Sequence, residues 1–315
     1  MTNAAAKALR IYGPLLAALL FLLAAFRLII GDYFWAADNL VNLSQQIAVN
    51  GILAFGMTLV ILAGGIDLSV GAAAALAGAT SIWVLAKTGN PALAVPAGIA
   101  AGAMVGLVNA FLVTQARLPA FIATLGSQQV ARGLAYRWTG GTPLRAPDDD
   151  VWFTWLGSGQ WHGLPVMSWC LLGCFILAFV LLHRLRFGQH LYAVGGNREA
   201  ARYTGINVVR VEGAAYFWCG LFAGIAGVLM AAQLGSIEAK VGEGYELNAI
   251  AAAAVGGVSL AGGVGTMGGT FLGAAVIGVL NKGLNQADVH FSWQYVMKGL
   301  VIIAAVAFDA LRRRR

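Results

Sequence analysis

Charge is scarce in this chain. Only 10% of its 315 residues are Asp, Glu, Lys or Arg, while 59% are hydrophobic. A water-soluble domain keeps about a quarter of its residues charged to stay wet at the surface. No stretch here is polar enough to form such a domain, so the apolar surface has to face lipid. Cysteine is scarce too. Cys170, Cys174 and Cys219 all lie inside apolar stretches, which points away from a disulfide framework and from a zinc site. The four histidines, His162, His183, His190 and His290, are far apart and form no His-Glu-x-x-His, so no shared metal site is expected. No phosphate-binding loop exists, because none of Lys7, Lys87, Lys240, Lys282 or Lys298 follows the required glycine. The chain is therefore read as carrying no catalytic residues, no metal and no cofactor, and as not being an enzyme.

Glycine, by contrast, is abundant: 42 residues, spread through the apolar segments. Small residues let membrane helices approach closely. Hydropathy predicts an all-α integral membrane protein of about ten transmembrane helices. The expected spans are 11–30, 44–64, 69–86, 92–114, 119–138, 166–183, 211–234, 246–262, 267–284 and 293–310, in a single membrane domain over residues 1–315. Lys7 and Arg10 before the first run resemble a signal peptide, but no small-x-small cleavage site follows, and the run is read as an uncleaved helix. Two connections are long. One covers 139–165, with Pro143, Pro147, Asp148–Asp150 and several Trp; the other covers 184–210 and is polar.

The net charge of +7 could suit nucleic acid or anionic lipid, and its distribution favours a membrane. With the N-terminus in the cytoplasm, ten crossings leave Lys7, Arg10, Arg117, Arg184, Arg186, Arg198, Arg202, Arg210 and Arg312–Arg315 inside. Asp32, Asp38, Asp148–Asp150, Glu238, Glu243, Glu246 and Asp288 then fall outside. That satisfies the positive-inside rule with both termini cytoplasmic. The loop 139–165 becomes periplasmic, and its Trp152, Trp155 and Trp161, with Trp169 just beyond it, suit an interfacial belt.

Several motifs have two readings. Gly263-x-Gly265-x-x-Gly268 fits the dinucleotide fingerprint formally, but it lies between membrane helices with no strand before it, so a tight turn is the better reading. Gly98-x-x-x-Gly102-x-x-x-Gly106, Gly220-x-x-x-Gly224 and Gly269-x-x-x-Gly273 read as packing faces. The stretches Gly64–Gly71 and Gly256–Gly263 are similar and could mark a repeated helix–break–helix unit or a chance likeness. Asp67, in the first of them, is read as a cap rather than a proton relay.

Polar groups inside predicted spans are more informative, because lipid disfavours them. Gln46 and Asn50 sit four apart on one face of the second span, and Arg132 lies in the fifth. They either line or support a route for a hydroxyl-rich neutral ligand, or bond helix to helix.

In the loop 184–210, Asn197 is a good N-cap, Glu199 sits in the first turn and Gly205 is a plausible stop. A short capped cytoplasmic helix results. Small Ala200 and Ala201 would let a partner approach, and Arg198 and Arg202 could pair with acids on it. Glu199-Ala200-Ala201 followed by Gly205 resembles the EAA-x-x-x-G coupling loop of permease subunits from bacterial ABC importers. The wider resemblance, from the second span to near the C-terminus, is to the ribose/galactose/xylose-type monosaccharide permeases. It is carried by Gly64-Gly65-Ile66-Asp67-Leu68-Ser69-Val70-Gly71, Phe121-Ile122-Ala123-Thr124-Leu125-Gly126, Gly244-Tyr245-Glu246-Leu247 and Gly256-Gly257-x-Ser259-Leu260. Arg202-Tyr203-Thr204 departs from the pattern, where the family has a less bulky stretch.

The resemblance implies an inner-membrane permease with several partners. These are cytoplasmic ABC ATPase subunits, a periplasmic sugar-binding protein, a second permease subunit that is a copy or a paralogue, and lipid, with no nucleic acid. Asn197, Arg198, Glu199, Ala200, Ala201 and Gly205 would then be the coupling residues. Two other readings remain: a branched-chain amino acid permease of the same superfamily, and a secondary sugar transporter.

Overall fold

A backbone in lipid must satisfy its own hydrogen bonds, so the apolar runs become helices. The structure, a computed structural model, describes the backbone of residues 2–147 and 150–313 and the side chains of residues 12–147, 150–304 and 307. The charges at Lys7, Arg10, Asp148, Asp149 and Arg312–Arg315 lie outside the described side chains.

The helices, in order, are α1 (Thr2–Ile30), α2 (Ala37–Leu62), α3 (Val70–Thr88), α4 (Pro91–Thr114), α5 (Ala120–Thr139), α6 (Val151–Ser158), α7 (Val166–His183), α8 (Arg186–Gly196), α9 (Arg198–Tyr203), α10 (Val208–Leu234), α11 (Tyr245–Val255), α12 (Met267–Gln286) and α13 (Phe291–Arg313). Among the described residues seven are long and apolar enough to cross a membrane: α1 from Tyr12, α2, α3, α4, α7, α10 and α12. The chain is thus an all-α, multi-pass membrane protein. Three further helices match expected spans but differ in kind. α5 carries Gln128, Gln129, Arg132 and Arg137, and α11 has only 11 residues, while α13 is apolar over its described stretch Phe291–Ala304.

Two ends differ from the sequence reading for clear reasons. α2 begins at Ala37 rather than 44, because Asn39 is buried and donates from Nδ2 to the Phe34 carbonyl (2.7 Å) while pairing with Gln286. The span expected over 246–262 stops at Val255. Gly257 takes φ +84°, a left-handed turn that ends the helix.

α2 and α10 form the centre, with α3, α4, α7, α11 and α12 around them. Glycine sets the spacing between α4 and α10. A Cβ on Gly102 would lie 2.4 Å from the Gly224 Cα, and one on Gly106 would lie 2.5 Å from the Tyr216 carbonyl. The small-residue stripes are packing faces, as their spacing suggests. The long loop 139–165 holds α6 and a short pair of strands, β2 (Gln160–Trp161) and β3 (Leu164–Pro165). It is also tied to the segment after α10, where β1 (Leu144–Arg145) pairs antiparallel with β4 (Ser236–Ile237).

Candidate coupling site and substrate route

The polar loop folds as two short helices. α8 has apolar Leu191 and Val194 buried and its glycine pair, Gly195-Gly196, at its end. Asn197 then takes an extended conformation and caps α9, its Oδ1 accepting from the Ala200 amide at 2.9 Å. Gly205 at φ +85° ends the turn, its amide donating to the Arg202 carbonyl at 3.1 Å. Both signals are those the sequence offers. The two alanines differ: Ala201 is buried in the main core, while Glu199, Ala200 and Arg202 are exposed.

Arg198 has a partner within the chain. Its Nε and Nη2 donate to the two carboxylate oxygens of Glu212 at 2.7 and 3.0 Å. The hydrogen bond to this carboxylate raises the Arg198 guanidinium above its ordinary value. Its expected pairing with a partner's acid is thus taken up by Glu212 near the start of α10, while Arg202 is exposed two positions after Ala200. Nothing local in the sequence links Arg198 to Glu212, fourteen positions away.

The glycine pair of α8 is the structural centre of this end. A Cβ on Gly195 would sit 1.8 Å from the Leu62 carbonyl and 2.5 Å from the Gly263 amide. The Gly263 amide itself donates to the Leu62 carbonyl at 3.0 Å, and Gly262 packs on Gly64 and Gly195. The two similar Gly-rich breaks, after α2 and after α11, therefore meet each other, and α8 closes the junction. Tyr192 adds a tie, its hydroxyl donating to the Gly265 carbonyl at 2.7 Å. Burial pushes the Tyr192 phenol up to about 12, so this donor keeps its proton across ordinary pH. Asp67 stabilises the first break from inside: its Oδ1 accepts from the Ser69 amide (2.8 Å) and hydroxyl (2.6 Å), and Asn109 donates to it across from α4. Asp67 thus folds back on Ser69, the residue before α3, and α3 itself has no side-chain cap, so the expected helix cap is not formed. Beside the junction lies a cavity of about 1020 Å³, whose lining includes Gly64, Arg117, Asn197, Arg202 and Tyr216.

The three route candidates are separated. Gln46 lines a cavity of about 460 Å³ at the opposite end of α2, together with Asn42, Gln233, Lys282 and Asn285, none of which the sequence reading singled out. Asn50 lies one turn deeper, buried, and its Oδ1 has no hydrogen-bond partner. Neighbouring Gln45 is a tie between helices: it donates to the Gly157 carbonyl (3.0 Å) and accepts from Gln233 (2.9 Å). Arg132 does not line this cavity. From α5 it donates to the carbonyls of Ala239 and Val241, the latter at 2.8 Å, and so braces the segment between α10 and α11 that forms one cavity wall.

A family profile described as "Branched-chain amino acid transport system / permease component" matches residues 39–306. The ribose import permease protein RbsC of Escherichia coli strain K12 is 43% identical over 278 residues, covering 88% of this chain and 87% of that protein. RbsC of Bacillus subtilis strain 168 is 42% identical, covering 94% and 92%. The L-arabinose transport system permease protein AraH of E. coli K12 is 36% identical, covering 88% and 84%. No solved structure matches. The chain belongs to this family of ABC-importer permease components. Such a subunit is not itself an enzyme; ATP is hydrolysed by a separate ATPase.

Proposed function

We propose that this chain is the bacterial inner-membrane permease subunit that passes a monosaccharide from a periplasmic binding protein to the cytoplasm, driven by separate ATPase subunits. The observation that carries the coupling part is the capped α9, which presents Glu199, Ala200 and Arg202 outward while α8, just before it, is wedged by Gly195 against both glycine breaks. An ATPase seated on α9 would move the ends of α2 and α11 through that junction. Asn197, Arg198, Ala201 and Gly205 hold the helix in place; Glu199 and Ala200 meet the partner.

Ten crossings with cytoplasmic termini fit this reading, with α5, α11 and α13 completing the seven apolar helices. α11 serves as a half-span that ends at its break. A second permease subunit completes the pathway. Gln46 lines the route, Asn50 waits below it with a free acceptor, and Arg132 keeps one wall in place.

Sugar is favoured by the neutral amides around Gln46, which offer donors and acceptors to hydroxyl groups. The names of the relatives, ribose and L-arabinose permeases, favour it too. The family description supports a second reading, transport of a branched-chain amino acid. Uptake of labelled ribose, arabinose, fructose and leucine, with and without this permease, separates the two. One of the sugars is expected to depend on the permease; dependence of leucine alone would overturn the sugar reading.

A further inference from the structure

The cavity at the end of α2 remote from the glycine junction holds a charge that the route described so far leaves unused. Its polar lining comprises Asn42 and Gln46 from α2, Gln233 from α10, Tyr245 from α11, and Lys282 and Asn285 from α12. No carboxylate lines it. Among the described residues Lys282 has no ion pair and no hydrogen bond; the described ion pairs are Arg27–Asp32 and Arg198–Glu212. Glu243 and Glu246, on either side of Gly244 and Tyr245, are not part of its lining. A half-buried lysine in a membrane protein is disfavoured unless something uses it. Nearby, Gln46 keeps a buried Oε1 that accepts from nothing. The cavity of about 460 Å³ falls within the range of small-molecule sites, about 300–1,000 Å³.

We propose that this cavity is a binding chamber for a hydroxyl-rich ligand without positive charge, and that Lys282 is its specificity-determining residue. The inference rests on the sugar reading above. The Lys282 ammonium has three N–H donors and no acceptor, so it suits hydroxyl and ring oxygens. The Gln46 carbonyl accepts from a ligand hydroxyl, and the other amides offer either role. The ring of Tyr245 gives an apolar face. A protonated amino sugar fits the same volume, but it would place two like charges together in a confined space with no acid in its lining to relieve them.

The test uses the complete transporter in membranes. A reporter cysteine, Gln46→Cys, is labelled by two thiol reagents of matched size, one anionic and one cationic. The unmodified chain supplies the blank, since two of its cysteines are buried and one is partly so. A single charge at short range in water changes encounter by about fivefold, so the anionic reagent is expected to react about fivefold faster or more. Lys282→Gln removes that preference and Lys282→Glu inverts it. D-ribose slows the labelling and D-glucosamine at equal concentration does not; in Lys282→Glu, glucosamine protects. Asn285→Cys, at an exposed position of the same lining, is a second reporter if the first variant fails to insert. Equal reagent ratios with Lys282 and with Lys282→Glu would overturn the inference, as would equal protection by both sugars. Failure of the sugar reading is seen separately, as permease-independent uptake of all the sugars tested.

Discussion

Gly195 shows how one residue type fixes the relation between two parts of the chain. Any side chain there would overlap the Leu62 carbonyl, so only glycine lets α8 touch both breaks. Overpacking of this kind costs about 1–3 kcal/mol when the structure can adjust. At Gly195 the neighbours are backbone, so adjustment means moving α8 or the end of α2. Gly195→Ala is expected to insert and accumulate but to lose most uptake. Gly196→Ala, where nothing lies within 4 Å of the added atom, is expected to keep it. Uptake normalised to membrane level decides; equal activity in the two variants contradicts a role for the junction. This contrast is invisible in the sequence, where the two glycines are neighbours of the same kind. The Arg198–Glu212 pair is equally hidden, since it joins two elements through space. The cap at Asn197 and the stop at Gly205 were legible because those signals act within a single turn.

At the level of elements, long apolar helices were readable and interrupted ones were not. α4, α7 and α12 lie close to their expected limits because composition alone marks them. α11 was overextended, since the apolar residues after Val255 continue while the backbone turns at Gly256-Gly257. α6 and the three short strands in 139–165 were missed, because segments of two to eight residues carry almost no periodic signal. Likewise, the lining of the cavity around Gln46 comes from α2, α10, α11 and α12, and no spacing in one segment could assemble it. α9 itself offers a sharp prediction. Ala200 is exposed and Ala201 is buried in the core. Ala200→Trp is expected to leave thermal stability unchanged and to cut co-purification of the ATPase and sugar uptake together. Ala201→Trp is expected to lower the melting temperature through overpacking. Normal co-purification and uptake in Ala200→Trp would mean that α9 is an ordinary solvated turn.

For the whole molecule, the proposed topology places the coupling helices, the glycine junction and both termini on the cytoplasmic side. The outer cavity and the 139–165 segment then face the periplasm. A reporter active only in the periplasm is expected to work when fused within 139–165 and to be silent after residue 315; the opposite pattern inverts the orientation. The two cavities then lie at opposite ends of a core built on α2 and α10, one of about 460 Å³ with its amide lining and one of about 1020 Å³ beside the coupling helix. On the proposed coupling, a change at α9 would pass through α8 to α2 by the Leu62–Gly195 contact, and to α12 by Gly263 and the loop that precedes α12. In this proposal the permease is driven from the cytoplasmic end, by a partner that hydrolyses ATP. The most direct measurement reconstitutes the permease with its ATPase in sealed vesicles, with ATP inside, and with the binding protein and labelled ribose, arabinose or fructose outside. The account predicts that one sugar accumulates, that accumulation needs both ATP and the binding protein, that it survives collapse of the proton gradient, and that it is lost in Ala200→Trp. Accumulation that follows the proton gradient and ignores ATP would contradict it.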